Sequence, residues 1–299
     1  MNYTVKRIAV VFILRKVSKQ GVNKLIYEGL ILDEERALYG VTGATVRGCT
    51  FAGDADGESA LKETEGLRIV DCDFRLRYPM WHMRTSSLDS CVLTETCRAA
   101  LWYCDGIHIK DTRLGGIKAL RECRDVKLES CVAFSTEFGW FCGDISITGG
   151  EINGEYPFLK TSGLTMKNAT LNGKYSFQYI ENAEITGCTL NTKDAFWHAK
   201  NVTVTDSVVK GEYLGWYSEN LTLIRCKIIG TQPLCYCKGL TLIDCEMLDA
   251  DLSFERSEVK ANVTGAIESV KNPISGEIIA DSISEIILDI PTECVIKTR

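Results

Sequence analysis

The chain has 299 residues, of which 45% are hydrophobic and 25% charged; these values are typical of a globular protein and exclude a disordered one. Forty acidic residues against 34 basic ones give a net charge of −6, which argues against a general nucleic-acid binder. The longest apolar run, residues 8–14, is far shorter than the roughly 20 residues of a membrane span, so neither nucleic acid nor a membrane is an expected partner.

The start of the chain does not resemble a secretion signal. Arg15, Lys16 and Lys19 follow the apolar run at once, and no small-residue cleavage site ends it. We therefore expect a cytoplasmic protein in which the fourteen cysteines are reduced and structural rather than a disulfide scaffold. The spacing of Cys235 and Cys237 is not that of a zinc ribbon, so we predict neither a metal site nor a cofactor.

Three segments follow one another along the chain. Residues 1–25 are predicted to be an N-terminal extension, which either stems from an upstream start or caps the first turn of the domain behind it. Residues 26–290 are predicted to form one repetitive domain, and residues 291–299 a C-terminal tail.

The domain is built on a 19-residue repeat. Residues 201–207, 220–226 and 239–245 align, and each ends on a small residue that we call the anchor. Seven cysteines are anchors, namely Cys49, Cys72, Cys91, Cys131, Cys188, Cys226 and Cys245. Hydrophobic residues before the anchors alternate with period two, as in Leu221 and Leu223, which indicates strands. A unit this short must stack on its neighbours, so we predict an all-β, single-stranded, right-handed parallel β-helix of about 12–13 turns, each with three short strands.

Two positions of the repeat indicate corners and the core. The position six before the anchor holds Gly, Asn or Asp in most turns, as in Gly106, Asp125 and Asn201, and these residues tolerate a positive φ. The position eleven before it holds only apolar residues or glycine, as in Met80, Leu101 and Phe177, and is predicted to point inward.

All five tryptophans stand ten residues before an anchor. Strand alternation turns this position outward, as do Lys62, Arg121 and Gln178 within it, because a narrow interior cannot hydrate them. Tyr, His, Glu and Lys occupy the next position, so one surface, the aromatic ribbon, runs along the axis. Its predicted ligand-binding residues are Lys62, Glu63, Trp81, Trp102, Tyr103, Trp140, Lys160, Gln178, Tyr179, Trp197, Trp216, Tyr217 and Tyr236.

The ribbon has three interpretations. It could bind an oligosaccharide, because aromatic rings stack on sugars and charged groups hold hydroxyls or carboxylates; it could be a protein-protein or homodimer interface of a non-enzymatic scaffold; or it could be an intrinsic ladder that only stabilises the coil. If the protein is an enzyme, we expect a carbohydrate-active lyase or hydrolase. The candidate catalytic residues are Arg121, Glu122, His82 and His198, which could also serve sugar isomer or epimer chemistry.

Several motifs of the chain, in order, resemble a known family. They include residues 33–40, 55–62, 98–103, 118–123, 174–179, 194–198 and 230–236. The sequence between about residues 26 and 289 is identified as a member of the mostly bacterial domain of unknown function 3737 family. The resemblance implies a pectate-lyase-like right-handed β-helix. It implies no catalytic residues, and the Asp clusters of the polysaccharide lyases and polygalacturonases with this architecture have no match here.

Overall fold

The computed structural model describes residues 14–17, 23–54 and 57–299. All regular secondary-structure elements within these residues are β-strands. No helix long and apolar enough to cross a bilayer is found among them. The strands stack in parallel around one axis and form a single-stranded, right-handed parallel β-helix of about 14 turns. This confirms the predicted fold, with slightly more turns than expected.

Two long sheets form two sides of the coil. The strands of the first sheet are β1 (Leu14–Val17), β2 (Asn23–Glu28), β4 (Thr45–Arg47), β6 (Arg68–Val70), β9 (Arg84–Asp89), β12 (Asp105–Lys110), β15 (Arg124–Glu129), β17 (Gly143–Thr148), β19 (Ser162–Lys167), β21 (Glu181–Thr186), β23 (Lys200–Thr205), β25 (Glu219–Ile224), β27 (Leu240–Leu248), β28 (Glu258–Val263), β30 (Ser275–Ala280) and β32 (Glu293–Thr298).

The second sheet follows each anchor and shares β27 with the first. Its other strands are β3 (Ile31–Leu32), β5 (Thr50–Phe51), β7 (Asp73–Phe74), β10 (Val92–Leu93), β13 (Arg113–Gly115), β16 (Val132–Phe134), β18 (Glu151–Glu155), β20 (Thr170–Lys174), β22 (Thr189–Asn191), β24 (Val208–Lys210) and β26 (Lys227–Ile229). A short pair, β29 (Ala266–Lys271) and β31 (Ser282–Ile287), belongs to the last turns.

The third side differs from the prediction of three strands per turn. It contains only the two-residue strands β8 (Met80–Trp81), β11 (Leu101–Trp102) and β14 (Leu120–Arg121). In the turns that follow, residues 156–160, 175–179 and 194–198 form consecutive tight turns instead. The reason is the backbone, because every second residue there has a positive φ, which a regular strand does not allow.

The predicted register is correct. Ile107 pairs with Val126 and Val126 with Ile145, so neighbouring strands are offset by the 19 residues of the repeat. The predicted corner residues Gly106, Asp125 and Asn201 have φ values of 67°, 44° and 53°. A second left-handed corner, which we did not predict, lies directly before each anchor and turns the chain from the first sheet into the second.

The interior is filled by stacked apolar side chains. The column eleven before the anchor is buried as predicted, and the rings of Phe158, Phe177 and Phe196 stack within it at 5.5 and 4.8 Å. Gly139 occupies the same column one turn before Phe158. A Cβ at Gly139 would lie 2.7 Å from the Phe158 ring, so a side chain there would collide with the stack. Thirteen of the fourteen cysteines are buried and Cys294 is half-buried. Burial raises the pKa of the Cys123 and Cys142 thiols, which favours their neutral form.

The two ends of the coil differ. At the first turn, β1 pairs antiparallel with β2. At the other end the stack continues into the segment that we expected to be a tail, because β32 pairs in parallel with β30. The remainder of residues 1–25 lies outside the described residues.

Candidate functional site

The five tryptophans lie in one column on the outer surface of the third side, where Arg121, Leu159 and Gln178 occupy the intervening turns. Each is partly exposed, whereas the neighbouring column that includes Leu101 and Phe177 is buried. The next column is also outside, where Tyr103, Tyr179 and Tyr217 are exposed by 46, 45 and 43%. The predicted ligand-binding residues thus share one face of the coil.

An unusual backbone conformation positions this outer column. The residue nine before the anchor, which is Tyr103, Tyr179 or Tyr217 in three of the turns, has a φ between 51° and 59° in every turn from Glu63 to Tyr236. A left-handed conformation costs a residue with a side chain about 1–2 kcal/mol. Each of these residues donates its backbone N–H to a carbonyl oxygen of the next turn, at 2.9 Å for Glu63 and 2.8 Å for Tyr179. These bonds and the stacking of the side chains offset the cost.

The ribbon divides into two segments that differ in chemistry. The first, which we call the charged segment, comprises Lys62, Glu63, Trp81, His82, Trp102, Tyr103, Lys118, Arg121, Glu122, Glu137, Trp140 and Phe141. The second, which we call the stacked segment, comprises Tyr179, Trp197, His198, Tyr213, Trp216, Tyr217 and Tyr236. Lys160 and Gln178 lie between them.

Arg121 is the centre of the charged segment. Its guanidinium carbon lies 5.2 Å from the Trp102 ring centroid and 5.5 Å from that of Trp140, so it is held between two indoles. Its Nε lies 3.2 Å from Glu122 Oε1, and its Nη1 lies 3.7 Å from Glu137 Oε2. Only 17% of the side chain is exposed, so two carboxylates and the rings satisfy this cation inside the protein.

Two lysines of the charged segment make further contacts. Lys118 Nζ lies 3.5 Å from Glu137 Oε2, and Lys62 Nζ lies 5.5 Å from the Trp81 ring centroid. The hydroxyl of Tyr103 donates to Glu122, and this hydrogen bond raises the pKa of Tyr103 because it stabilises the neutral phenol. Lys118 and Arg121 are therefore neutralised by Glu122 and Glu137, whereas Lys62 lies against an aromatic ring.

The stacked segment consists mainly of rings. Tyr179, His198, Tyr217 and Tyr236 form one continuous stack with centroid separations of 4.8, 5.1 and 4.9 Å. Beside it, Trp197 and Trp216 are nearly parallel at 5.6 Å. Lys160 borders the stack with its Nζ 5.8 Å from the Tyr179 centroid. The stack rises by one ring per turn.

The following turn sets the orientation of four of the five indoles, the exception being Trp102, whose buried Nε1–H has no hydrogen-bond partner among the described residues. The Nε1–H of Trp197 donates to the carbonyl oxygen of Tyr213 at 2.7 Å, and that of Trp216 donates to Gln232 at 2.8 Å. Gln178 uses the same acceptor position, since its Nε2 lies 3.4 Å from the Asp194 oxygen. This shared hydrogen bond explains why glutamine replaces tryptophan there, and sequence inspection did not reveal it.

Trp140 and Trp216 also stand nearly perpendicular to the rings beside them, whereas Trp102 lies at 21° to the ring of Tyr103. Trp216 makes angles of 79° with both Tyr213 and Tyr217, and Trp140 makes angles of 85° with Tyr156 and 83° with Phe141. The tyrosine faces are covered by their neighbours in the stack, so these residues present edges and hydroxyls at the surface. An indole whose plane runs along the axis of the coil can, in contrast, present the face of its ring at the surface.

The four candidate catalytic residues are not brought together. Arg121 and Glu122 form one ion pair, but His82 stacks on Tyr103 at 5.2 Å in the charged segment, whereas His198 lies six turns away between Tyr179 and Tyr217. Neither His82 nor His198 makes an ion pair in the part of the chain that the structure describes. Among the same residues there is no cluster of three or more His, Cys, Asp or Glu side chains that could hold a metal ion.

Asp194 is a residue that the sequence did not single out as a site residue. It is buried beneath the ribbon, and burial raises the pKa of its carboxyl. Its position in the turn directly after the stacked pair of Tyr156 and Tyr175 places a carboxyl where other turns carry a tyrosine.

Comparison with solved structures finds similar coils at low identity. The surface adhesin PfbA of Streptococcus pneumoniae is 10% identical, with a TM-score of 0.41 over 73% of this chain and 71% of that one. The A-module of the Azotobacter vinelandii mannuronan C-5 epimerase AlgE6 is also 10% identical, with a TM-score of 0.36 over 92% of this chain and 88% of that one. These likenesses concern the fold alone.

The sequence comparisons identify the family. No curated protein matches the chain. The family model described as "Protein of unknown function (DUF3737)" matches residues 25–298, which is nearly the whole of it, as the sequence motifs indicated. The chain therefore belongs to the DUF3737 family.

Proposed function

We propose that the protein binds an oligosaccharide along the aromatic ribbon. The observation that carries this proposal is the continuous row of outward rings from Tyr179 to Tyr236, one per turn, beside which backbone hydrogen bonds fix the indoles of Trp197 and Trp216. Contiguous exposed aromatic surface marks an interaction site, and rings that are already immobilised lose little conformational entropy on binding.

The repeat of the ribbon favours a repetitive ligand. From Tyr179 to Tyr236, one ring with a polar tip recurs at every strand spacing of about 4.8 Å, so successive units of a chain molecule can meet equivalent groups there. Tyrosine hydroxyls and imidazole nitrogens both donate and accept hydrogen bonds, which matches the hydroxyls of sugars. A flat protein partner has no such periodicity, so this observation favours a glycan over a protein interface.

The pairing of charges supports binding rather than cleavage. A lyase needs a free base, and a hydrolase needs two carboxyl groups about 5–9.5 Å apart across the scissile bond. Arg121 and Glu122 are instead engaged with each other and with Glu137 and Tyr103.

Intrinsic fluorescence provides a direct test because all five tryptophans lie in the ribbon. We expect at least one member of a panel of soluble oligosaccharides to shift the emission and to give saturable heat in calorimetry. Trp197→Ala should weaken that binding at least tenfold, whereas Ile243→Ala, which removes an exposed apolar side chain from the first sheet, should not. An unchanged spectrum and no heat across the panel would refute the proposal.

A further inference from the structure

The distribution of charge along the ribbon distinguishes its two segments as binding surfaces. In the charged segment, the cations that could hold a ligand carboxylate are already paired with Glu122 and Glu137 or lie against Trp81. A ligand that displaced Glu122 or Glu137 would leave that carboxylate without its partner in a partly dehydrated site, which is unfavourable. The ion pairs of this segment therefore hold neighbouring turns together and leave Arg121 and Lys118 unavailable to a ligand carboxylate.

The stacked segment offers a different surface. Its exposed groups are the edges and hydroxyls of Tyr179, Tyr217 and Tyr236, the imidazole of His198 and the indoles of Trp197 and Trp216. Four successive rings at one strand spacing per turn give it a length of about 14 Å.

Two of the cations that border the stacked segment are also paired with carboxylates. Lys193 Nζ lies 2.7 Å from Glu212 Oε2 on one flank, and Lys271 Nζ lies 3.3 Å from Glu255 Oε1 near its end. Asp194 is buried, and Lys160 lies against the ring of Tyr179. An acidic sugar would need an unpaired cation at each carboxylate, and the row does not provide one per turn, whereas hydroxyls find donors and acceptors throughout.

We propose that the stacked segment, from Tyr179 to Tyr236, is the glycan-binding part of the ribbon and that it takes a neutral oligosaccharide rather than a polyuronate. This inference rests on the proposed function and adds to it the ligand class and the segment that binds. Tyr217 is the central residue of this binding surface because it stacks with His198 and Tyr236 and also contacts Trp216.

Matched ligands test the ligand class. The full chain is titrated with cellohexaose and hexamannuronate, which share β-1,4 linkages, and with maltohexaose and hexagalacturonate, which share α-1,4 linkages. We expect one neutral hexasaccharide to bind at least tenfold more tightly than its acidic counterpart. Tighter binding of an acidic member would overturn the inference while leaving the proposed function intact, and the absence of binding by every oligosaccharide would overturn both.

Matched variants test the location. Tyr103 and Tyr217 occupy the same column with nearly equal exposure and φ, one in each segment. For the neutral ligand, we expect Tyr217→Ala to raise the Kd at least tenfold and Tyr103→Ala to change it by less than twofold. Tyr217→Phe, which keeps the ring and its stack, checks the result if the alanine variant does not fold, and should raise the Kd by two- to fivefold. Equal effects at the two tyrosines, or an unchanged Kd in both Tyr217 variants, would contradict the inference.

Discussion

The charged and stacked segments of the ribbon solve one structural problem in two ways. Both must cover the third side of the coil, where the backbone is left-handed at every second residue in most turns. The charged segment does so with ion pairs and cation–π contacts around Arg121 above short strands, and the stacked segment does so with rings above tight turns. The comparison shows that one register tolerates different side chains, because contacts to the next turn can be made by an ion pair in one place and by an indole hydrogen bond in another.

The buried columns beneath the two segments differ as well. The charged segment covers aliphatic residues such as Met80 and Leu101, whereas the stacked segment begins above the Phe158, Phe177 and Phe196 rings. We expect Phe177→Ala to lower the free energy of unfolding by about 3–5 kcal/mol, and Leu101→Ala to lower it by less because a smaller cavity results. Urea unfolding of both variants measures this, and an equal or larger loss at Leu101 would show that the Phe stack is not the stronger core.

The next largest effect is expected at Arg121. Arg121→Ala removes the partner of Glu122 and Glu137 and leaves two indoles without their cation, so we expect a loss of about 2–3 kcal/mol. Gln178 stands in the same column outside the charged segment and makes one long hydrogen bond, so Gln178→Ala should cost about 0.5–1 kcal/mol. Similar losses of unfolding free energy in the two variants would contradict the conclusion that the ion pairs of Arg121 stabilise the coil.

Asp194, which borders the stacked segment, makes the stability of the folded protein depend on pH. Because its folded-state pKa is raised, the folded protein binds the proton more tightly than the unfolded chain does. Stability is therefore favoured below the ordinary carboxyl pKa of 3.8 and falls as the pH rises from there through the folded-state value. Asp194→Asn should raise the Tm at pH 7, by less than Arg121→Ala lowers it, and give no gain at pH 3. A Tm gain that is the same at both pH values would point to a cause other than titration.

The smallest predicted effect is local to the charged segment. Tyr103 ionises at a raised pKa because its hydroxyl donates to Glu122. In Glu122→Gln, the ultraviolet-monitored alkaline titration should therefore lose one tyrosine from its late component, to which Tyr27 and Tyr236 still contribute because burial raises their pKa, and Tyr103→Phe identifies the residue. A titration curve identical to that of the wild type would show that the hydrogen bond does not control this pKa.

Much of this architecture could be predicted from the sequence because the repeat is visible in it. The anchors, the buried column of Leu101 and Phe177 and the corners at Gly106 and Asn201 each follow from a residue type that recurs every 19 positions. The left-handed conformation of Tyr103 and Tyr217 could not be predicted, since tyrosine rarely adopts it and only contacts between turns stabilise it.

The site was predictable only in part. The column pattern placed the tryptophans outside, but the pairing of Arg121 with Glu137 joins residues whose columns gave no sign of contact. The common hydrogen bond of Gln178 and the indoles likewise depends on a backbone carbonyl, which no sequence pattern reports.

The hydrogen bonds from Trp197 and Trp216 to the turn that follows have an evolutionary consequence. Because the turn after each of these two indoles supplies its acceptor, a whole 19-residue unit of this part of the coil can be duplicated or deleted without altering the rings elsewhere. The row therefore lengthens or shortens by one strand spacing at a time, and recombination between repeats is a simple way to change the length of the aromatic surface.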